Sequence, residues 1–303
     1  MEAAMAFADI VVSGAVVEAV ARAWGHHFSG EAVRLYGGEE SAAYRLGDAV
    51  LRIGPDWRST EEAEWCHEVA AHAAARMVEV VRPLPTRSGG TVVRVDGRPV
   101  SLWPYAPGRW LDREDAGQRT RAAQLLARLH RALADAAVPQ RPRPSFLETG
   151  LRGEASADRT ELHDPALDSW LAEFHHATRV RHPLHGDFYR GNLLTEAGQI
   201  TAVLDWDYAL VGPPEFEVAY AAREFGSRWG TGLGPARHFV ADYLAAGGTA
   251  EALDDMALAQ LIRHRLRREA AHFELNRSHR AAPSPNDVEY HQRQLELFWK
   301  LRP

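Results

Sequence analysis

The hydrophobic pattern of the chain changes near residue 106, and this change restricts the fold more than any other feature of the sequence. Before residue 106, apolar residues recur over short segments separated by turns, several of which contain glycine. We predict strands in these segments: 33–36, 42–46, 49–53, 91–95 and 98–105. After residue 106, leucines recur at helical spacing, most clearly in 120–133. The pattern predicts a small antiparallel sheet followed by a larger, mainly helical part.

Two helices are predicted within the first part, over 14–24 and 59–78, and the second begins with a capping box of Ser59 and Glu62. In the second part we predict helices over 164–178, 235–246, 251–275 and 286–300, and a hairpin of strands 192–195 and 200–205. The chain is therefore predicted to be of the α+β class, with a first lobe over 1–106 and a second lobe over 107–303.

Composition excludes several classes of protein. The chain has 303 residues and a net charge of -6, which argues against a nucleic-acid partner, because such proteins carry a basic surface. Cys66 is the single cysteine, so the chain forms no internal disulfide, and a reducing cytoplasm suits it. No stretch of about 18 apolar residues is present, and we expect no contact with a membrane.

Lysine is almost absent from the sequence. Lysine and arginine together number 35, and the single lysine is Lys300, close to the C-terminus. Any mechanism that requires a lysine elsewhere in the chain is therefore excluded or must use arginine, whose planar guanidinium has stricter geometry than an ammonium group.

One motif carries the candidate chemistry. Asp187 lies in the segment H-G-D-F-Y-R-G-N, which ends at Asn192, and Asp205 ends the second strand of the predicted hairpin. Because a hairpin brings its two ends together, we expect Asn192 and Asp205 to lie side by side. Two oxygen ligands near a further carboxylate suit Mg²⁺, and this order of residues is similar to the template for phosphoryl transfer.

The motif resembles that of the aminoglycoside phosphotransferase and choline kinase-like family, which has H-G-D-x-x-x-x-N followed by I-D-W/F-D/E. The resemblance extends from about residue 30 to about residue 275. It implies a bilobal protein-kinase-like fold, with a small antiparallel β lobe that contains one helix and a larger helical lobe. It also implies a kinase that uses ATP, with GTP as an alternative, and Mg²⁺.

The resemblance assigns roles to the residues of the motif. Asp187 matches the catalytic base, which accepts the proton of the acceptor hydroxyl or orients it. Asn192 and Asp205 match the Mg²⁺ ligands. His185 is expected to brace the loop.

The resemblance also places a nucleotide site in the first lobe. Arg52 occupies the position of the strand lysine that contacts the phosphates. Glu68 is the predicted partner of Arg52, with Glu61, Glu62 and Glu64 as alternatives. The loop 37–41 matches the loop that covers the phosphates, and Ser41 is its candidate donor.

The segment L-W-P-Y-A-P-G is similar to the family's hinge between the lobes. By register, the carbonyl of Pro104 and the N–H of Ala106 are expected to bind the adenine edge. Proline lacks only its N–H, so it remains an acceptor.

The acceptor is expected to be a small molecule with a hydroxyl group, such as a sugar, an amino alcohol, a nucleoside or an antibiotic. Candidate contacts follow the metal strand: Asp207, Glu217, Arg223, Glu224, Trp229 and His272. For Asp207 two positions remain open, facing the metal or facing the acceptor. Glu217 departs from the aspartate that the family usually has there. The arginine-rich segment 263–268 is interpreted as the solvated face of a helix.

Three functions remain open at this point, of which a hydrolase that uses metal-activated water is the least favoured, because the sequence lacks a second set of clustered ligands. The first is an ATP-dependent small-molecule O-phosphotransferase, either a monomer or a homodimer, with antibiotic resistance as one biological role and a biosynthetic or metabolic role as another. The second is a catalytically silent pseudokinase that only binds a nucleotide.

Overall fold

The computed structural model describes residues 10–27, 31–35, 40–148, 161–177, 179–230, 232–277 and 285–303. Its first part contains helices α1 (Gly14–Trp24) and α2 (Thr60–Ala74) and a five-stranded antiparallel sheet in the order β1-β2-β3-β5-β4. The strands are β1 (Val33–Leu35), β2 (Ala42–Leu46), β3 (Ala49–Ile53), β4 (Val93–Val95) and β5 (Arg98–Pro104). Each of the five lies within, or coincides with, a segment predicted from the sequence.

The second part is mainly helical. Its helices are α3 (Ala116–Leu133), α4 (Pro165–His176), α5 (Pro214–Gly226), α6 (Gly234–Ala245), α7 (Asp255–Arg277) and α8 (Pro285–Lys300). Two small antiparallel sheets accompany them, in the orders β6-β8-β9 and β10-β7. Their strands are β6 (Arg109–Trp110), β7 (His182–Leu184), β8 (Leu193–Glu196), β9 (Gln199–Val203) and β10 (Leu210–Gly212). The predicted α+β class is confirmed.

The sequence prediction missed α5 together with β6, β7 and β10. The reason for missing α5 is visible in its burial, since every residue from Pro214 to Phe225 is buried, including four charged ones. A helix that is buried on all sides has no polar face, and so it lacks the alternation between apolar and polar stripes by which helices are recognised.

Two hydrophobic cores hold the chain together, and α2 belongs to the larger one. The smaller core joins α1 to the inner face of the five-stranded sheet. The larger core lies in the second part and includes Trp65, Val69 and Ala73 of α2. The Trp65 indole also donates a hydrogen bond to the carbonyl of Pro139, at 2.8 Å. Helix α2 therefore connects the sheet to the second part of the molecule.

None of the helices in the described part of the chain is long and apolar enough to cross a membrane.

Replacing Trp65 with alanine tests whether α2 is fixed to the second part of the molecule. We expect Trp65→Ala to lower the free energy of unfolding by about 3–5 kcal/mol, because it opens a cavity in the larger core and removes a buried hydrogen bond. Trp110→Ala is the matched control, since Trp110 is exposed, and it should cost less than about 1 kcal/mol. Urea unfolding followed by fluorescence measures both, and equal losses would contradict this arrangement.

Candidate active site

The β8–β9 hairpin brings together the two predicted metal ligands. Leu193 pairs with Val203, and the N–H of Leu204 donates to the carbonyl of Asn192 at 2.8 Å. Asp205 follows directly and has a φ of 59°, a left-handed conformation that non-glycine residues seldom adopt. The backbone therefore turns sharply where the Asp205 side chain enters the site.

Asp187 lies beside Asn192, as the motif predicts. The Asn192 amide donates to Oδ2 of Asp187 at 3.0 Å and to its carbonyl at 2.9 Å. The hydroxyl of Tyr220 donates to Oδ1 at 3.1 Å. Burial raises the pKa of Asp187 to about 7, although a nearby arginine opposes the shift. Asp187 is thus held in a fixed position by donors on both of its oxygens.

The loop before Asp187 is braced by a buried carboxylate, Glu217. Glu217 accepts the backbone N–H groups of His185 at 3.2 Å and Gly186 at 2.5 Å, and its Oε2 lies 2.9 Å from Nε2 of His130. Burial acts to raise the pKa of Glu217, but the neighbouring His130 and the backbone donors outweigh burial and lower it. The prediction of Glu217 as an acceptor contact is wrong, because its carboxylate is fully occupied within the protein.

His185 braces the loop as expected. Its Nε2 lies 2.8 Å from the carbonyl of Leu204, and its Nδ1 accepts the N–H of Asp187 at 3.2 Å. The ring therefore connects the loop that holds Asp187 to the residue before Asp205.

Arg52 extends from β3 across to the hairpin. One of its terminal nitrogens lies 3.0 Å from Oδ1 of Asp205 and 3.0 Å from Oδ2 of Asp207. Burial acts to lower the pKa of Arg52, but the two aspartates outweigh it and raise the pKa. The residue that replaces the lysine thus contacts one of the candidate metal ligands directly.

The structure does not support Glu68 as the partner of Arg52. Glu68 is exposed on the outer side of α2, whereas Ala63 and His67 face the cavity next to Arg52. Burial lowers the pKa of His67 to about 3, so this side chain is neutral at physiological pH. The alternatives fail as well: Glu61 is exposed, Glu62 pairs with Arg141, and Glu64 accepts the N–H of Thr91.

Asp207 faces the first lobe and not the acceptor side. It accepts a hydrogen bond from Ser41 at 3.2 Å and forms ion pairs with Arg52 and Arg58. Of these two arginines, Arg58 was not among the residues predicted from the sequence. Burial acts to raise the pKa of Asp207, but the two arginines hold it well below its usual range. Its prediction as an acceptor contact is therefore corrected to a position beside the candidate nucleotide-binding residues.

The remaining acceptor candidates lie on two sides of the site. Arg223 and Glu224 are buried and form an ion pair at 2.5 Å. Trp229 packs edge-to-face against Tyr290. The Nε2 of His272 lies 2.6 Å from Glu40, and its ring is stacked on Phe146. Contact of these residues with an acceptor stays a prediction.

The arginine-rich segment of α7 is buried, so its interpretation as a solvated face is wrong. Arg265 donates to the carbonyl of Gly186 at 2.6 Å, to Oδ1 of Asp187 at 3.1 Å and to Glu269 at 2.7 Å. Its guanidinium also lies 3.9 Å from the centre of the Tyr220 ring. Arg263 and Arg267 are buried in ion pairs with Asp164 and Asp168, and Arg268 donates to the carbonyl of Phe146. Helix α7 therefore packs against the loop that carries Asp187.

Sequence reasoning missed Tyr220, Arg265 and Arg58. Tyr220 lies on α5, which has no recognisable pattern, and Arg265 lies in a charge run of the kind that is usually exposed. Arg58 does carry a usable signal. It lies just before the α2 capping residue Ser59, close to the site of Arg52, in a chain that has to rely on arginine.

The predicted hinge follows from the end of β5. Pro104 pairs with Ala49, and the N–H of Tyr105 donates to the carbonyl of Asp48 at 2.8 Å. Ala106 comes next and is partly buried. Recognition of adenine by Pro104 and Ala106 stays a prediction, and the part of the phosphate loop at 37–39 lies outside the described residues.

The donor set at the end of the hairpin suits Mg²⁺. Since the amide nitrogen of Asn192 faces Asp187, the amide oxygen is the acceptor left on that side chain, and Asp205 offers a carboxylate. Both are hard oxygen ligands, and Mg²⁺ takes few of these and completes its shell with water and phosphate. Within the described residues, no group of three or more histidine, cysteine or acidic side chains could hold a metal ion.

The sequence as a whole matches a known family. A profile of the phosphotransferase enzyme family matches residues 31–259. The chain belongs to this family. The family resemblance predicted from the motif at Asp187 is thereby confirmed.

Relatives of this phosphotransferase-family chain include kinases of several small molecules. It is 44% identical over 54 residues to a hygromycin-B 4-O-kinase of Escherichia coli, which is 18% of this chain and 16% of the relative. It is 26% identical over 155 residues to a homoserine kinase of Beijerinckia indica, which is 49% of this chain and 48% of the relative. The chain thus spans less than half the length of these two curated relatives.

Solved structures extend the likeness to the whole fold. An amicoumacin kinase in complex with AMP-PNP and Ca²⁺ superposes with a TM-score of 0.69 at 17% identity, over 93% of this chain and 92% of that one. The predicted protein-kinase-like fold is confirmed.

Gly186 tests how closely the catalytic loop of this phosphotransferase-family chain is packed. It has a φ of 83°, and a Cβ there would lie 2.0 Å from the carbonyl oxygen of Tyr208. We expect Gly186→Ala to lower the free energy of unfolding by about 3 kcal/mol or more. Gly97→Ala is the matched control, since Gly97 has a φ of 75° with nothing within 4 Å, and it should cost about 1–2 kcal/mol. Urea unfolding measures both, and equal costs would contradict the close approach.

Arg265 tests whether α7 positions the candidate base. We expect Arg265→Met to lower kcat by about 10²-fold, because Asp187 and the Gly186 carbonyl lose a shared donor and a small displacement of a reacting group is costly. The KM for the nucleotide should change less than threefold, since the hydrogen bonds of Arg265 go to Gly186, Asp187 and Glu269 and not to Arg52. Arg237→Met, on an exposed ion pair with Asp255, is the control for loss of an arginine. An unchanged kcat in Arg265→Met would contradict the positioning role.

Proposed function

We propose that the chain is an ATP-dependent O-phosphotransferase that moves the γ-phosphoryl group to a hydroxyl of a small molecule. The observation that carries the proposal is the convergence of Asp187, Asn192 and Asp205 at one end of a hairpin, opposite Arg52. This is the arrangement that phosphoryl transfer requires, in which catalysis depends on positioning and on stabilising negative charge. Family membership and the relatives support the same reaction class.

In this mechanism, Asp187 accepts the proton of the acceptor hydroxyl while the hydroxyl oxygen forms a bond to the γ-phosphorus. The bond between that phosphorus and the β–γ bridging oxygen breaks, and ADP leaves. Arg52 binds the nucleotide phosphates in place of the usual lysine. Asn192 and Asp205 would hold Mg²⁺, which neutralises charge on the phosphate oxygens.

Residues 1–106 would then form the nucleotide-binding lobe, and residues 107–303 would carry the catalytic loop and the acceptor site. The smaller core, which joins α1 to the five-stranded sheet, supports a separate first lobe, whereas α2 packs in the larger core and crosses the division. We propose ATP as the donor, with GTP as the alternative, and a cytoplasmic location. Antibiotic resistance and a metabolic role both agree with the relatives, which include kinases of an antibiotic and of an amino acid.

A second candidate function is a pseudokinase that binds a nucleotide without transferring phosphate. One observation favours it: an arginine stands at the lysine position, and in the described structure its guanidinium is bound to the Asp205 and Asp207 carboxylates. An acceptor panel with Mg-ATP separates the two functions. The panel contains homoserine, hygromycin B and amicoumacin, and ADP release above the no-acceptor rate is the readout. Nucleotide binding without release on any acceptor would favour the pseudokinase.

The Asp187 side chain is the sharpest single test of the transferase. We expect Asp187→Asn to lower turnover by about 10²- to 10⁴-fold, since the variant cannot accept a proton. Its affinity for Mg-AMP-PNP, measured by calorimetry, should stay within about threefold of the wild type. Asp135→Asn, on an exposed aspartate, controls for the loss of a charge. Full turnover in Asp187→Asn would exclude the proposed role of this residue.

A further inference from the structure

Arg58 is a second buried arginine in the candidate nucleotide site, and none of the roles described so far accounts for it. It precedes α2, its side chain is only 4% exposed, and the loop that carries it is held by bonds to both ends of its backbone. Its N–H donates to the carbonyl of Pro55, and its own carbonyl accepts a hydrogen bond from Arg94 at 2.9 Å. The position of Arg58 is therefore built into the fold.

Arg58 shares a carboxylate with Arg52. Both guanidinium groups form ion pairs with Asp207, and Arg58 also lies 3.5 Å from Glu40. Two buried positive charges repel each other, and each also loses its hydration, so their proximity is costly unless anions lie between them. In the described structure the carboxylates of Asp205, Asp207 and Glu40 supply these anions. A phosphate group that displaced the shared carboxylate of Asp207 would meet both guanidinium groups at once.

One edge of Arg58 is not used by the described residues. Its Nε is buried, and in the part of the chain that the structure describes no acceptor lies within hydrogen-bonding distance of it. Both arginines line one cavity together with Ser41, His67 and Asp207. The Nε and a terminal nitrogen of a guanidinium form the fork that grips a phosphate with two parallel hydrogen bonds.

The side of α2 that faces this cavity carries no negative charge. The expected glutamate partner of Arg52 is missing, and the cavity-facing residues of α2 are the uncharged Ala63 and His67. In the first lobe Arg52 therefore lies near a second cation, Arg58, and neither arginine is paired with a carboxylate of α2.

We propose that Arg58 is a second phosphate-binding residue that acts with Arg52 on the nucleoside triphosphate. This inference rests on the proposed function and adds a residue to its nucleotide site. In the described structure the carboxylate of Asp207 accepts hydrogen bonds from both guanidinium groups. When the nucleotide binds, phosphate oxygens replace this carboxylate as the acceptor. The pair thus replaces the single lysine that this chain lacks.

The test compares a nucleotide that has phosphates with one that has none. Calorimetry measures the affinity of the full chain for Mg-AMP-PNP and for adenosine. We expect Arg58→Gln to bind Mg-AMP-PNP roughly 10- to 100-fold more weakly than the wild type, as expected for the loss of charge-assisted hydrogen bonds. Its affinity for adenosine should change less than twofold. Arg58→Lys keeps the positive charge but loses the two parallel donors, so its affinity for Mg-AMP-PNP should lie between that of the wild type and that of Arg58→Gln.

Three controls separate this role from a structural one. Arg98→Gln removes a half-exposed arginine of the same sheet and should bind both ligands like the wild type. Thermal unfolding identifies folded variants, and Arg58→Lys is the comparison if Arg58→Gln does not fold.

Each outcome decides between the alternatives. Selective loss of Mg-AMP-PNP in Arg58→Gln, with partial recovery in Arg58→Lys, supports the second phosphate-binding residue. Wild-type affinity for Mg-AMP-PNP in folded Arg58 variants overturns it, and so does a parallel loss of affinity for adenosine. If the wild-type chain itself binds no Mg-AMP-PNP or Mg-GTP, the proposed function fails together with this inference. If the wild type binds and the Arg58 variants are unaffected, only this inference fails.

Discussion

The ion cluster between the sheet and the β8–β9 hairpin is the interaction on which the rest of the site depends. Arg52 and Arg58 extend from the first lobe, and Asp205 and Asp207 meet them from the second. Charges removed from water in this way are stable only when each has a partner, so loss of one member leaves the others uncompensated. The cluster thus couples the alignment of the two lobes to the residues that would hold the nucleotide and the metal.

A second group of buried polar side chains holds the backbone of the loop that carries Asp187. Glu217 satisfies the backbone N–H groups of His185 and Gly186, and His130 supports Glu217 from α3. Arg265 of α7 donates a hydrogen bond to the carbonyl of Gly186 in the same loop. Buried polar groups of this kind are costly when left unpaired, so a fully connected set holds one conformation firmly. The backbone of the loop that carries Asp187 is thus hydrogen-bonded from both α5 and α7.

Local features of the sequence predicted the fold class, the five-stranded sheet and the hairpin between Asn192 and Asp205. These depend on residues that are close in the chain, where turn residues and alternating patterns act directly. Prediction failed for α5 and for the arginines of α7. In both, charged side chains are buried by partners distant in sequence, such as Asp164 for Arg263 and Gly186 for Arg265. Nothing in the neighbouring residues announces such partners.

The sequence by itself determined that the candidate nucleotide site has an arginine and no lysine on β3, because Lys300 is the single lysine and lies at the far end of the chain. It also determined which three residues meet at the hairpin, because their spacing is local. Only the tertiary structure decided what Arg52 contacts. The family resemblance predicts Glu68 as the partner of Arg52, yet Glu68 is exposed to solvent on α2, and His67 lines the cavity beside Arg52 instead. Which side of a helix is buried depends on everything packed against it, and so the partners of Arg52 became visible only in three dimensions.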